Sequence, residues 1–376
     1  MGLKINVPKD NFLTALGFLQ NVTGKKGTLA ILANVLIVTG NDSIEVVGTD
    51  LEVGIKSILP AEIKSPGSIT LPGKILYEIV REAGSETLSL EETDNSWVNI
   101  TSGSSVYNLA GTSAEEFPDF PEYDDKNMAN VSGKLLKELI DKTIFSVAHE
   151  RESNFTLTGI LFEKEKKDNK VVLRMISSDG HRLSIMENEV NDEVNNINFN
   201  ENVIIPRKGV LDIKKICESF DDIYLGVEKK QIVIQTKNSI SVIRLMNGEF
   251  PDYKSILSVV NREKRIEINK KFFLDALKRT SLFTEDTFNA IQLDISKNKL
   301  ILSSQNMDYG NATDKLDIKY EGEKFTIGFN CKYFIDTLLA MSSETIKLCI
   351  SSNQNPCLVE GDDDAGFVSI IMPMKI

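Results

Sequence analysis

The sequence predicts an α+β chain in which one unit, two amphipathic helices packed on antiparallel strands, is written three times. Three observations predict it. A short β-like lead running into a helix recurs six times, proline-centred joins recur one unit apart, and positive charge gathers on the predicted helices.

The first helix of each unit follows an alternating lead. Ile5-Asn6-Val7-Pro8 runs into a segment with Phe12, Leu16 and Leu19 at helical spacing. Ala129-Asn130-Val131-Ser132 precedes Leu135 and Leu139, and Ile266-Glu267-Ile268-Asn269 precedes Phe273 and Leu277. Apolar residues three and four apart line one helix face and leave the other polar. The second helix repeats the device after Ile69-Thr70-Leu71-Pro72, Val203-Ile204-Ile205-Pro206 and Phe325-Thr326-Ile327-Gly328-Phe329-Asn330. With their leads, the six predicted helices cover Lys9–Lys26, Gly73–Gly84, Ser132–Arg151, Arg207–Glu218, Asn269–Thr284 and Asn330–Met341. Alternating runs such as 35–38, 232–235 and 300–302, broken by Gly, Asn and Asp, read as strands and hairpin turns.

The joins repeat as well. Phe117-Pro118-Asp119-Phe120-Pro121 and Phe250-Pro251-Asp252-Tyr253 lie 133 residues apart, and Pro72 and Pro206 lie 134 apart. Proline biases the preceding residue toward extended backbone, so both joins read as extended connectors. A period of this length means duplicated domains, at 1–124, 125–253 and 254–376.

Composition narrows the function classes. No apolar run is long enough to span a bilayer and the N-terminus lacks an apolar leader, so the expected location is the cytoplasm. Cys217, Cys331, Cys349 and Cys357 are far apart, which suits buried thiols better than a disulfide framework or a zinc site. Two histidines, His149 and His181, leave no His-rich metal centre, and no cofactor is expected.

The net charge of −12 argues against nucleic-acid binding until its distribution is read. The six helical segments together carry +8, which leaves −20 on the rest of the chain. Lys and Arg populate the exposed faces of most helices, and that accounts for part of the excess. The other reading is one basic surface that attracts phosphates on an acidic protein that otherwise repels them. Candidate DNA contacts are Lys25, Lys26, Lys74, Arg81, Lys134, Lys137, Arg151, Arg207, Lys208, Lys214, Lys278 and Arg279. Phosphate contacts without base readout suit a protein that slides.

Ordered blocks along the whole chain then resemble a known family. They include Gly48-Thr49-Asp50-Leu51-Glu52, Ser178-Asp179-Gly180-His181-Arg182-Leu183 and Ile205-Pro206-Arg207-Lys208-Gly209. Gly248-Glu249-Phe250-Pro251-Asp252-Tyr253 and the terminal Met372-Pro373-Met374-Lys375-Ile376 complete the pattern, with 28–34, 145–149 and 159–163 between. In these the chain resembles the β subunit of bacterial DNA polymerase III, the sliding clamps. The resemblance implies three DNA-clamp domains per subunit and a head-to-tail homodimer closed into a six-domain ring. Double-stranded DNA, bound without regard to sequence, would pass through it, and no catalysis is implied. It also implies as partners the polymerase III α subunit, the clamp loader and other proteins carrying short apolar clamp-binding peptides.

Two sites follow from the resemblance. Leu282 and Phe283 would centre the subunit contact between the first domain and the third, although ordinary core residues would look the same. A partner-peptide pocket would comprise Leu157, Gly159, Ser178, Gly180, His181, Arg182, Leu183, Pro251, Ile256, Met372, Pro373, Met374, Lys375 and Ile376. Methionines make an adaptable apolar surface, and Arg182 could meet a backbone carbonyl or a terminal polar group. Ser178 stands where many relatives have Thr, and Lys375-Ile376 where Arg-Leu is common; one extra residue lies in 150–154.

Asp179-Gly180-His181-Arg182 also invites an acid–base reading, and Asp362-Asp363-Asp364 a cation. No nucleophile motif, Walker A sequence or GxGxxG loop supports the first, and an acidic cluster such as the second is more often a solvated loop. A DNA-processing hydrolase and a structural adaptor that never touches DNA are the alternatives to a clamp.

Overall fold

The computed structural model describes residues 2–23, 29–149, 155–168, 170–197, 199, 203–262, 264–285, 288–350, 352 and 354–375. Among them lie helices α1 (Lys9–Thr23), α2 (Gly73–Glu82), α3 (Gly133–Asp141), α4 (Arg207–Ser219), α5 (Tyr253–Ser258), α6 (Lys270–Ser281) and α7 (Cys331–Ala340).

Every expected lead is a strand that ends where its helix begins. Lys4–Pro8 leads into α1, Ser68–Pro72 into α2, Met128–Ser132 into α3 and Ile204–Pro206 into α4. Arg265–Asn269 leads into α6 and Phe325–Asn330 into α7. Proline closes three of these strands, where its missing N–H costs no helical bond. Asparagine closes the last two, and each side chain caps the new helix: Asn269 accepts from the Phe272 amide at 3.1 Å, Asn330 from Lys332 at 2.9 Å. The apolar stripes of α1 (Phe12, Leu16, Leu19) and α6 (Phe273, Leu277) are buried as expected, whereas on α3 Leu139 is buried and Leu135 only half-buried, with Leu136 buried in its stead.

Two details differ from the sequence reading. The third helix stops at Asp141, well short of 151. Thr143 turns its hydroxyl back to the Leu139 carbonyl at 2.6 Å, and the chain passes into a short 3-10 turn, Ile144–Ser146. Ser146 bonds Ser184 at 2.7 Å and the Ala148 amide bonds the Leu157 carbonyl at 3.0 Å, so this segment packs as sheet core. The second connector is not extended throughout: after Pro251, Asp252 accepts from the Lys254 amide at 3.1 Å and caps α5. The first connector, 117–121, contains no helix or strand.

The chain falls into two compact units that do not follow the repeat boundaries, because both include part of the second repeat. The first unit (1–137, 191–200, 208–245) holds a five-stranded sheet with Glu62–Ser65 and Ser105–Ala110 at its two edges. It also holds an eight-stranded antiparallel sheet in which Ser239–Arg244 of the second repeat pairs with Val53–Pro60 of the first. The second unit (138–190, 201–207, 246–376) holds a four-stranded sheet with Gly310–Asp317 and Phe325–Asn330 at its two edges. Its eight-stranded sheet joins Arg182–Val190 of the second repeat to Phe367–Ile371 at the end of the third.

In the first unit α4 meets α1 through polar groups. Asp212 is 1% exposed on the face that also buries Val210, Ile213 and Ile216. One of its oxygens accepts from Asn21 at 3.0 Å, while the other has no hydrogen-bond partner among the described residues. Lys215 donates to the Gly17 carbonyl alongside. Burial pushes the Asp212 carboxyl up to about 6, against the pull of Asn21, Lys208 and Lys215. An acid with a raised folded pKa favours the fold below the unfolded value near 4, and that contribution is lost as pH rises through about 6. Asp212→Asn is therefore expected to stabilise the chain at pH 7.5 by on the order of 2 kcal/mol and to flatten the pH dependence between 4 and 6. Urea unfolding of both proteins at pH 7.5 and 5.0 measures this; equal stabilities at pH 7.5 would contradict it.

Candidate functional site

Residues expected to form a peptide pocket converge in the second unit. Leu157 and Leu183 are buried in one apolar cluster with Ala148, Leu161, Ile176 and Ile370, and Ile256 of α5 packs against its edge. The ladder between Arg182–Val190 and Phe367–Ile371 sets Arg182 opposite Ile371 and Leu183 opposite Ile370. The chain end continues from there. The Met372 amide donates to the His181 carbonyl at 2.9 Å, and the Met374 amide to Gly328 at 2.8 Å. Met372 and Lys375 are exposed, Pro373 and Met374 half-buried, and Ile376 lies outside the described residues.

The turn at 178–182 is tied at every position. The Ser178 hydroxyl donates to the Arg182 carbonyl at 2.7 Å and accepts from the Gly180 amide at 3.1 Å. Gly180 has φ +86°, the left-handed region where a side chain would be strained. Asp179 accepts from the His181 and Arg182 amides, both at 3.0 Å, and from Arg182 Nε at 2.9 Å. Both carboxylate oxygens are thus committed to the turn, which leaves the acid–base reading without its acid.

Arg182 is occupied as well. Its Nη1 donates to Asp336 at 2.6 Å, its Nη2 to the Phe145 carbonyl at 2.5 Å, and its guanidinium lies 4.6 Å from the Tyr333 ring centroid. It does meet a backbone carbonyl, but one of its own chain, so these contacts tie α7 to the 178–182 turn. Gly159 also acts through the backbone: a Cβ there would come within 2.7 Å of the Ile205 carbonyl oxygen in the neighbouring strand. Pro251 is exposed one residue before the Asp252 cap.

Sequence reasoning missed Phe250 and Tyr253, which are buried members of this cluster, and the α7 residues Tyr333 and Asp336 around Arg182. The first pair carried a signal, since aromatic residues flank the proline in both connectors. Tyr333 and Asp336, one helical turn apart, carried none.

Leu282 is 74% exposed after the end of α6 and Phe283 is half-buried, so Leu282 is no core residue. Exposed apolar residues accompany it in a hairpin tip that sequence reasoning passed over. Asn306 donates to the Thr284 carbonyl at 3.2 Å, and Met307 and Tyr309 follow, 91% and 77% exposed.

The candidate DNA contacts separate into groups. Lys74 and Lys278 are exposed. Arg81 faces Glu78 and Glu82, Lys134 faces Asp221 at 3.3 Å, and Arg279 faces Asp314 at 2.6 Å. Arg207 donates to the Ile144 carbonyl at 3.0 Å and Lys208 pairs with Asp50, so both also serve the fold. Lys137 and Lys214 are half-buried, and Lys25, Lys26 and Arg151 lie outside the described residues, as does the extra residue within 150–154. Exposed ion pairs are worth little and can exchange a carboxylate for a phosphate.

With this geometry in hand, comparison with known proteins is specific. The chain matches the DNA polymerase III beta subunit family three times in order: the N-terminal domain over residues 3–121, the central domain over 130–252 and the C-terminal domain over 260–375. It is 28% identical to the beta sliding clamp of Haemophilus influenzae and 26% identical to that of Escherichia coli K12, with both chains covered completely in each case. Among solved structures it resembles the sliding clamp of Bartonella birtlesii bound to griselimycin, at 29% identity, TM-score 0.92 and complete coverage of both chains.

In the acidic run 362–364, Asp362 and Asp363 are exposed, as in a solvated loop, and only Asp364 departs from that reading. Asp364 is buried and pairs with buried Lys142, and it accepts from the Ser342 and Ser343 amides at 2.8 and 2.9 Å and from the Ser343 hydroxyl at 2.6 Å. Burial alone would raise its carboxyl; Lys142 and the serines hold it below the usual range. Asp362 pairs with Lys347. No group of metal-ligating side chains occurs among the described residues. Asp364→Ala is expected to cost roughly 3–5 kcal/mol by stranding a buried ammonium. Millimolar Ca²⁺ should leave the melting temperature of the unaltered protein unmoved, and a clear rise would revive the cation site.

Proposed function

Because the chain belongs to the DNA polymerase III beta subunit family, the sliding clamps, we propose that two copies close head to tail into a six-domain ring around duplex DNA. Its function is that of a DNA sliding clamp in replication: a processivity factor, not a catalyst. DNA and a polymerase are its partners. No helix among the described residues is long and apolar enough to cross a membrane.

The observation that carries the ring is a pair of open sheet edges, one in the first repeat and one in the third. Ser105–Ala110 in the first repeat and Gly310–Asp317 in the third each terminate a sheet with one side unpaired. Edge strands with free N–H and C=O groups pair readily with another chain. Val106 is exposed on the first edge, and Leu282, Met307 and Tyr309 are exposed beside the second. A first-repeat edge on a third-repeat edge is a heterologous contact, and two such contacts close a ring of two copies. The repeats at 1–124, 125–253 and 254–376 would then supply the six domains.

The basic helix faces would meet phosphates inside such a ring, with Lys74 and Lys278 among the exposed cations. Contacts this weak let the protein move along the duplex. Light scattering on the purified protein should give a mass near twice 41.9 kDa, and Leu282→Asp should shift it to the monomer. A clamp loaded onto nicked circular duplex should stay with it through gel filtration and run off once the circle is cut. Retention that ignores the topology of the DNA would sink the ring.

The apolar patch around Leu157, Leu183 and Ile256, bordered by Met372, Pro373 and Met374, would take short peptides of the polymerase III α subunit, the clamp loader and other DNA-processing proteins. Its support is the meeting of an exposed methionine, a proline and a preformed apolar floor at one place. Removing residues 372–376 should abolish binding of a Leu- and Phe-bearing peptide in calorimetry. The melting temperature should change little, since among the described residues the segment donates two backbone hydrogen bonds outside the sheet ladders, Met372 to His181 and Met374 to Gly328. Unaltered peptide affinity would remove the chain end from the site.

A further inference from the structure

A second depression opens on the sheet surface next to the apolar patch. It is a cavity of about 740 Å³ lined by Ile185, Tyr253, Leu257 and Val368, all four of which also belong to, or pack against, the apolar cluster. Patch and cavity therefore share walls, with α5 contributing Ile256 to one and Leu257 to the other.

The charges of the cavity divide into two halves. In one, Arg174 binds Glu187 at 2.5 Å and Glu165 at 2.7 Å while Lys167 binds Glu187 at 2.8 Å, so its cations and carboxylates are matched. In the other, Lys254, Arg262, Arg265 and Lys347 line the wall with Glu360, Asp362 and Asp364, and Asp364 is already paired with buried Lys142 outside the cavity. Arg262 reaches Glu360 at 3.5 Å and Lys347 pairs with Asp362. Arg265 spends its Nε on the Arg262 carbonyl at 2.7 Å and, among the described residues, has no carboxylate within ion-pair distance. On a protein with a net charge of −12, this is a positive pocket apart from the helices assigned to DNA.

We propose that this half of the cavity receives an acidic segment of the same partner chain whose apolar anchor occupies the neighbouring patch. The inference rests on the peptide-docking reading given above. A flanking acidic stretch would convert a short apolar contact into a two-point one, with the second contact made at high effective concentration. Charge complementarity at such a rim raises the association rate and weakens with salt.

The test uses the full-length protein and a labelled Leu- and Phe-bearing peptide, made plain or with four aspartates or four lysines appended at either end. Fluorescence anisotropy at low salt should give the aspartate-extended peptide about tenfold tighter binding than the plain one, equivalent to roughly 1.4 kcal/mol. The lysine extension should give no gain. The gain should vanish in 0.5 M salt and in the Arg262→Glu, Arg265→Glu double variant, whose affinity for the plain peptide should match that of the unaltered protein. Both positions are exposed, and an unchanged melting temperature checks that the variant folds. Equal affinity for the plain and aspartate-extended peptides would overturn the proposal and leave the docking patch standing. So would a gain that survives in the double variant. A plain peptide that fails to bind would strike at the docking patch itself, and the cavity proposal would fall with it.

Discussion

The ladder between Arg182–Val190 and Phe367–Ile371 decides where the last residues of the chain lie, and the candidate docking site follows from it. Five residue pairs join strands almost two hundred positions apart in sequence. A slip of one residue would turn every side chain of the final strand to the opposite face. Leu183 and Ile370 would no longer meet, and Met372 could not reach the His181 carbonyl. The matching ladder between Ser239–Arg244 and Val53–Pro60 joins the first repeat to the second, reinforced by a 2.8 Å contact between the Ser57 and Ser239 hydroxyls. Continuous backbone pairing thus does at each join what a flexible linker could not: it fixes register, and register fixes which side chains share a surface.

Buried polar groups reinforce the join between the second and third repeats. Lys142 belongs to the second repeat and Asp364 to the third, and the pair is buried with further hydrogen bonds on the carboxylate. Arg182 bridges the same two repeats, holding Phe145 and Asp179 on one side and Asp336 on the other. Such groups add little net stability compared with apolar replacements, but they exclude alternative packings because a mispaired charge is costly to bury. Asp212 is the counter-case. Its carboxyl is incompletely satisfied, and the fold bears that cost between α1 and α4.

The period of the chain was open to reading because each lead and helix announces itself locally. Pro8, Pro72, Pro206, Asn269 and Asn330 mark strand-to-helix junctions by chemistry that acts within a few residues. The patch was legible only in part. Leu157, Leu183 and Ile256 followed from family resemblance, whereas the fate of Arg182 depended on Asp336 and Tyr333, which reach it by tertiary packing. The helix excess of positive charge was correctly counted, yet Asp50, Asp221 and Asp314 come from elsewhere in the chain to meet Lys208, Lys134 and Arg279. Charge counted along a sequence overstates charge available on a surface, because folding chooses partners that spacing cannot reveal. The expectation of a long third helix failed for the same kind of reason: residues 144–148 were worth more as sheet core than as further helical turns.

Partial neutralisation suits a protein that must hold a polyanion without gripping it. Every additional phosphate held costs mobility, and affinity rises steeply with the number of cations that meet phosphate directly. Where a lysine or arginine already faces a carboxylate, a phosphate adds only the difference between the two pairings, a fraction of what an unpaired cation would give. The ion pairs at Arg81, Lys134 and Arg279 would then lower the binding energy at each phosphate and smooth its variation along the duplex. Tight, specific association would be left to the apolar patch, where burial rather than charge supplies the free energy and shape decides the partner. Such a division would place weak, sequence-blind contact and selective docking on different physical forces, so a change in salt would loosen the first far more than the second.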